Sequence, residues 1–135
     1  MFGGRLLMKP QTFMNLSGEA VANYARYHRI NHSEILIIVD DAALRLGELR
    51  LRPSGSTGGH NGLESILVHL GTEAVPRLRV GIGAASGVLT DHVLGKFESS
   101  ELEVMEASVS RAADAAEYGN AHGIEAAMNL YNRKQ

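Results

Sequence analysis

The sequence predicts an α/β fold: a mixed, mostly parallel sheet flanked by helices, in a single domain over residues 1–135. Three observations carry that expectation. The run Glu34-Ile35-Leu36-Ile37-Ile38-Val39 is apolar and β-branched and stops at Asp40-Asp41, as a buried parallel-type strand does. Gly47-Glu48-Leu49-Arg50-Leu51-Arg52-Pro53 alternates, with Leu49 and Leu51 on one side and Glu48, Arg50 and Arg52 on the other. Along the chain the order reads strand, helix, strand, strand, helix, strand, helix, helix, which implies α/β rather than segregated classes.

The elements follow in order. Leu6-Leu7-Met8 reads as a short strand halted at Pro10, because proline cannot continue a central strand. A helix then opens at Asn15-Leu16-Ser17-Gly18, with Asn15 or Ser17 as the cap. Val21, Tyr24, Ala25 and His28 recur along it at helical spacing, to an end near Arg29. Beyond the two strands above, a glycine-rich loop leads into a helix with Leu63, Ile66, Leu67 and Leu70 on one face, closing at Gly71. Arg77-Leu78-Arg79-Val80-Gly81-Ile82-Gly83 is the next strand. Two alanine-rich helices finish the chain. The first carries the capping box Ser100-x-x-Glu103 and is expected to bury Leu102, Met105, Val109 and Ala112; the second runs from about Gly123 to Tyr131.

Composition narrows the function classes. A chain of 135 residues with 44% hydrophobic content suits one globular core. No apolar run approaches the roughly 20 residues of a membrane span, and the first ten residues lack a signal-peptide pattern. A cytoplasmic location without membrane partners is the expectation. Cysteine is absent, which excludes disulfides, zinc–thiolate sites and thiol nucleophiles. No second cluster of ligands stands at metal-binding spacing, so no metal or other cofactor is expected. The net charge of −2 conceals a segregation: Arg45, Arg50, Arg52, Arg77 and Arg79 crowd the middle, while the C-terminal part is acidic. Such a basic region either grips a polyanion or simply solvates strand faces.

The richest stretch chemically is Gly55-Ser56-Thr57-Gly58-Gly59-His60-Asn61-Gly62-Leu63. Glycine lets backbone amides approach a ligand, and a helix start adds unpaired donors suited to an anion or oxyanion. His60 can exchange protons, and Asn61 can donate and accept at once. The plain alternative is a strand-to-helix connection. Asp40 and Asp41 stand where a buried strand leaves the sheet, the edge at which open α/β sheets place ligands; a turn uses the same residues. Asn15 is either a cap or a site residue, and Phe13 either core or a platform. Gly81-Ile82-Gly83-Ala84-Ala85-Ser86 is similar to a dinucleotide fingerprint but lacks its third glycine and following helix.

Taken together, four blocks resemble bacterial-type peptidyl-tRNA hydrolase. They are Lys9-Pro10-Gln11-Thr12-Phe13-Met14-Asn15-Leu16-Ser17-Gly18; Ile37-Ile38-Val39-Asp40-Asp41 with Gly47 to Arg52; Gly55 to Leu63; and Arg77 to Gly83. The resemblance implies hydrolysis of the ester joining a peptide to the terminal ribose of its tRNA, by an activated water and without metal. It implies that Asp40 orients a catalytic histidine, that Asn15 and Asn61 position the ester and its water, and that Phe13 and His60 line the crevice. It also assigns Arg50, Arg52 and Arg79 to tRNA phosphates, a task suited to the planar guanidinium fork.

The sequence departs from the family in one respect. The family's Gly-x-x-Asn-Pro-Gly block, and the Thr-Arg-His-Asn block that supplies its general base, do not occur in it. The resemblance therefore implies a chain lacking the family's first strand, first helix and second strand. An unpaired edge beside the Glu34–Val39 strand would follow, and with it self-association, rearrangement, or a chain shortened from a longer one. His60 is then the histidine left to serve as base. A non-catalytic RNA-binding module on the same scaffold, as in plant chloroplast splicing factors, and an inactive fragment remain alternatives.

Overall fold

The computed structural model describes residues 6–10, 16–83 and 99–132. The described residues fall into two compact units, those within 1–32 and 56–73 and those within 33–55 and 74–135.

The second unit holds the sheet. Strands β1 (Ile37–Asp41), β2 (Leu49–Arg52) and β3 (Arg77–Gly81) lie in the order β1-β3-β2. β1 runs parallel to β3 and β2 antiparallel to it, so the sheet is mixed as expected, with one pairing of each kind among the described residues. Register sorts the side chains. Leu49 stands opposite Val80 and Leu51 opposite Leu78, while Arg50 meets Arg79 and Arg52 meets Arg77. One face is therefore apolar and the other basic, as period-two alternation requires.

Helices α3 (Ser99–His122) and α4 (Ile124–Tyr131) cover the apolar face. Leu49, Leu51, Leu78 and Val80 form one buried cluster with Ala112, Ala115 and Ala127. Burying each of those strand side chains contributes about 1.5–3 kcal/mol. The expected face of α3 holds in part. Ala112 is buried in the core and Met105 packs against it, but Leu102 is 46% and Val109 56% exposed, and the buried stripe runs through Ser108, Ala112 and Ala115. The strand leucines already fill the space under the helix, so its small residues face the sheet. Ser99 and Ser100 are both helical, which places Ser100 inside the first turn rather than at a capping position.

The edge strand β2 ends its pairing on a side chain. Asn132, just past α4, accepts from the Leu51 amide at 2.6 Å and donates to the Leu51 carbonyl at 3.0 Å. A carboxamide thus replaces the neighbouring strand that an open edge lacks.

Two strand expectations also change. Leu6–Met8 lies outside any strand. The run from Glu34 begins with a 3-10 turn, His32–Glu34, and the strand starts only at Ile37, whose amide meets the Pro76 carbonyl at 3.0 Å. Apolar composition marks where a strand can be buried, whereas its start depends on the partner's register.

The first unit is built on a helix pair, α1 (Ser17–Tyr27) and α2 (Asn61–Leu70). Their crossing depends on Gly18. A Cβ there would sit 1.9 Å from the Ser65 carbonyl oxygen, and the Gly18 amide donates to Ser65 Oγ at 2.9 Å. α1 accordingly buries Ser17, Gly18, Ala22 and Ala25; of the residues at helical spacing Ala25 is buried, Val21 and Tyr24 are half-buried and His28 is exposed. Leu16 stands at its N-cap with no side-chain cap, so Ser17, an expected cap, is a buried helical residue; Asn15, the other, lies outside the described residues. α2 closes at Gly71 as expected, with the Gly71 amide on the Leu67 carbonyl at 2.9 Å.

Candidate functional site

The chemistry-bearing residues occupy two places, the carboxyl end of β1 with the basic sheet face, and the start of α2. Phe13 and Asn15 lie outside the described residues, as do Ala84–Ser86 of the rejected fingerprint.

At the end of β1 the two aspartates separate. Asp41 organises the turn: its Oδ1 accepts from the Ala43 amide at 2.8 Å, and its backbone carbonyl accepts from Ile82 at 3.1 Å. Its Oδ2 faces Arg79 at 3.4 Å, with side chains only 14% (Arg79) and 19% (Asp41) exposed. Asp40, in register with Val80, is half-buried, and alternation turns it to the opposite side of the strand from Asp41. The adjacent pair thus contains one turn-forming carboxylate and one with a different outlook.

Register gathers Arg50, Arg52, Arg77 and Arg79 on one face in two directly opposed pairs. Like charges placed opposite each other destabilise a sheet unless something intervenes. Asp41 offsets the charge of Arg79. Arg77 is 1% exposed and donates from Nε to the Val75 carbonyl at 3.0 Å, so it is a core residue and not a solvated one. Arg52 is exposed, with one guanidinium nitrogen donating to the Leu51 carbonyl at 2.9 Å, and Arg50 is partly buried. Arg52 therefore offers the most surface of the four and Arg77 the least, with Arg50 and Arg79 between them.

The start of α2 is tightly turned. Gly59 has φ +86, a conformation that side chains disfavour, and its amide donates to Thr57 Oγ1 at 3.2 Å. His60 follows as the N-cap: Nδ1 accepts from the Leu63 amide at 3.1 Å, and its carbonyl accepts from Glu64 at 2.9 Å. Accepting at Nδ1 is the role open to an imidazole whose hydrogen sits on Nε2. Asn61 is the first helical residue and is exposed, while Gly62 and Leu63 behind it are buried. Sequence reasoning placed His60 in a crevice but missed the cap, since histidine is not among the favoured capping residues. It also missed Asn132 and the burial of Arg77. An asparagine following an apolar helix is the one local hint of the former.

Among the described residues no helix is long and apolar enough to cross a membrane. A sequence model of the family described as peptidyl-tRNA hydrolase matches residues 3–135. The peptidyl-tRNA hydrolase of Synechocystis is 45% identical over 130 residues, covering 95% of this chain and 67% of that protein. That of Clostridium botulinum is 43% identical over 127 residues, covering 94% of this chain and 66% of the relative. Among solved structures, the peptidyl-tRNA hydrolase of Acinetobacter baumannii superposes with a TM-score of 0.81 at 34% identity, covering 93% of this chain and 65% of that one. The chain spans about two thirds of the length of these proteins.

Proposed function

This chain belongs to the peptidyl-tRNA hydrolase family, and on that premise we propose that it serves hydrolysis of the ester between a peptide and the 3′-terminal ribose of its tRNA. The observation that carries the reading is the separation of the two aspartates. Asp41 organises the turn and faces Arg79, while Asp40 stands on the other side of the strand at the carboxyl end of parallel β1, a position that supports it as the carboxylate of the site.

In this reading Asp40 is the carboxylate that would hold the family's catalytic imidazole in one tautomer and stabilise its protonated form. Asn15 and Asn61 orient the ester and the attacking water, with help to the developing oxyanion. Phe13 stands beside the peptide-bearing end. Arg50, Arg52 and Arg79 take tRNA phosphates, with Arg52 the most exposed of the three and Arg79 also facing Asp41. The family's general base belongs to a block that this sequence does not contain, so the residues named here supply binding and orientation. Peptidyl-tRNA released from ribosomes places the activity in the cytoplasm. Self-association belongs to the same reading, at the outer edge of β1 where Ile38 is 53% exposed.

The test is hydrolysis of an N-blocked aminoacyl-tRNA, comparing the chain with Asp40→Ala. Turnover that falls by orders of magnitude in the variant is the expected result. Turnover indifferent to Asp40 would sink the assignment. Salt-sensitive tRNA binding without turnover would favour the RNA-binding module instead. Sedimentation of the same preparation reads the oligomeric state, and a monomer at all concentrations would remove self-association.

A further inference from the structure

We propose that His60 acts as a positioning residue: its neutral ring caps α2 and thereby fixes Asn61, rather than carrying a proton to or from water. The inference rests on the reading above, in which Asn61 belongs to the ester site.

The geometry begins with the loop. The His60 amide donates to the Thr57 carbonyl at 3.2 Å, and the Gly59 amide to Thr57 Oγ1 at the same distance, so residues 57–60 form a closed turn. That turn delivers the imidazole over the first turn of the helix, where the Leu63 amide would otherwise lack an intrahelical partner. Nδ1 takes that hydrogen bond at 3.1 Å. Leu63 is fully buried and Gly62 is buried with it, so water has poor access to the amide that the ring satisfies.

The chemical consequence follows from counting lone pairs. A neutral imidazole has one hydrogen and one lone pair on its two ring nitrogens. With the Nδ1 lone pair on Leu63 and the hydrogen on Nε2, the ring has nothing with which to accept a proton from water. A protonated ring would carry N–H at both positions and would oppose the Leu63 amide donor to donor. The same contact that anchors the helix start thus denies His60 the role of base. Asn61 is held on both sides, by the capped His60 and by the buried Gly62–Leu63 pair, and it is the residue whose direction the cap sets.

The test compares His60→Ala with His60→Asn, because asparagine is among the best N-cap residues yet cannot transfer protons near neutral pH. Three readouts apply to the full chain. First, the nitrogen signals of the wild-type ring should report the Nε2–H tautomer with an unprotonated, hydrogen-bonded Nδ1. Second, amide exchange at Leu63 should quicken about 5-fold in His60→Ala, as expected for loss of a cap, and return toward wild type in His60→Asn. Third, hydrolysis of N-blocked aminoacyl-tRNA should fall in His60→Ala and recover most of that loss in His60→Asn.

An Nδ1–H tautomer would overturn the proposal. So would an asparagine variant that restores Leu63 protection yet stays as slow as alanine, since His60 would then be moving protons. If the wild-type chain turns nothing over, the ester-hydrolysis reading fails on its own account. The cap is then still decided by the ring tautomer and the Leu63 exchange.

Discussion

The two compact units of this protein are held together by opposite means. In the sheet unit, large side chains exclude water: Leu49, Leu51, Leu78 and Val80 interdigitate beneath two alanine-bearing helices. In the helix-pair unit, absence of side chain is what matters, because Gly18 lets α1 come within hydrogen-bonding distance of Ser65 on α2. The first arrangement tolerates small shifts and is penalised by lost volume. The second tolerates no added volume at its point of contact. A chain can thus reach equal compactness through bulk in one region and through close approach in another, and the two respond to mutation with opposite sign of size change.

The largest expected effect strikes the sheet unit. Leu78 sits on the central strand, fully buried and opposite Leu51. Leu78→Ala should cost about 2–5 kcal/mol, through lost transfer energy and the cavity left behind. Urea unfolding followed by circular dichroism measures it, and a loss below 1 kcal/mol would mean that the helices collapse onto the sheet.

Next comes the helix pair. Gly18→Ala adds a single carbon against a backbone carbonyl and should destabilise by about 1–3 kcal/mol, as overpacking does. The same substitution at a solvent-exposed helical position normally stabilises, so the sign alone is diagnostic. Loss of amide protection confined to residues of α1 and α2 would sharpen the contrast between the units, whereas uniform loss would merge them into one cooperative body.

The smallest effect belongs to a contact that resembles a stabilising one. Arg45 Nε lies 2.6 Å from Glu48 Oε1, but the arginine side chain is 70% exposed. Arg45→Ala should change stability by about 0.5 kcal/mol or less, since solvent screens such pairs. Melting curves superimposable with wild type are expected, and a large shift would show the loop after β1 to be tied down through Arg45.

The same contrast governs how much could be read in advance. Alternation around Leu49 and Leu51 announced both the buried and the basic faces of β2, and the leucines at helical spacing together with Gly71 located α2 and its end. Both signals depend on large side chains with a fixed period. The interacting face of α1 carried a weaker signal, because its residues are small: Ala25 was in the helical pattern, but Gly18 and Ala22 were not, and His28, which was, is exposed. α3 misled in part, with Leu102 and Val109 outward and Ser108 inward, while Ala112 and Met105 face the core as their spacing suggested.

At the candidate site the residue types were legible and their division of labour was not. Asp40 and Asp41 are indistinguishable as letters. Only the turn, which draws the Ala43 amide onto Asp41, and the cross-strand reach of Arg79 tell them apart. Arg77 and Arg52 likewise share a pattern, yet the central strand buries the first and the edge strand exposes the second.

The sequence by itself determined the α/β class, the glycine-rich loop into α2, the alternation of β2, and the family blocks that carry Asp40, Asn61 and the arginines. These are properties of short windows, where periodicity and turn chemistry act over a few residues. Tertiary structure alone decided which aspartate is spent on a turn, which arginine is core, that Asn132 seals the β2 edge, and that the His60 ring caps a helix. Each of those depends on a donor meeting an acceptor in three dimensions. For Asn132 and Leu51 the partners are 81 residues apart in the chain, and no local pattern records which groups folding will bring into contact.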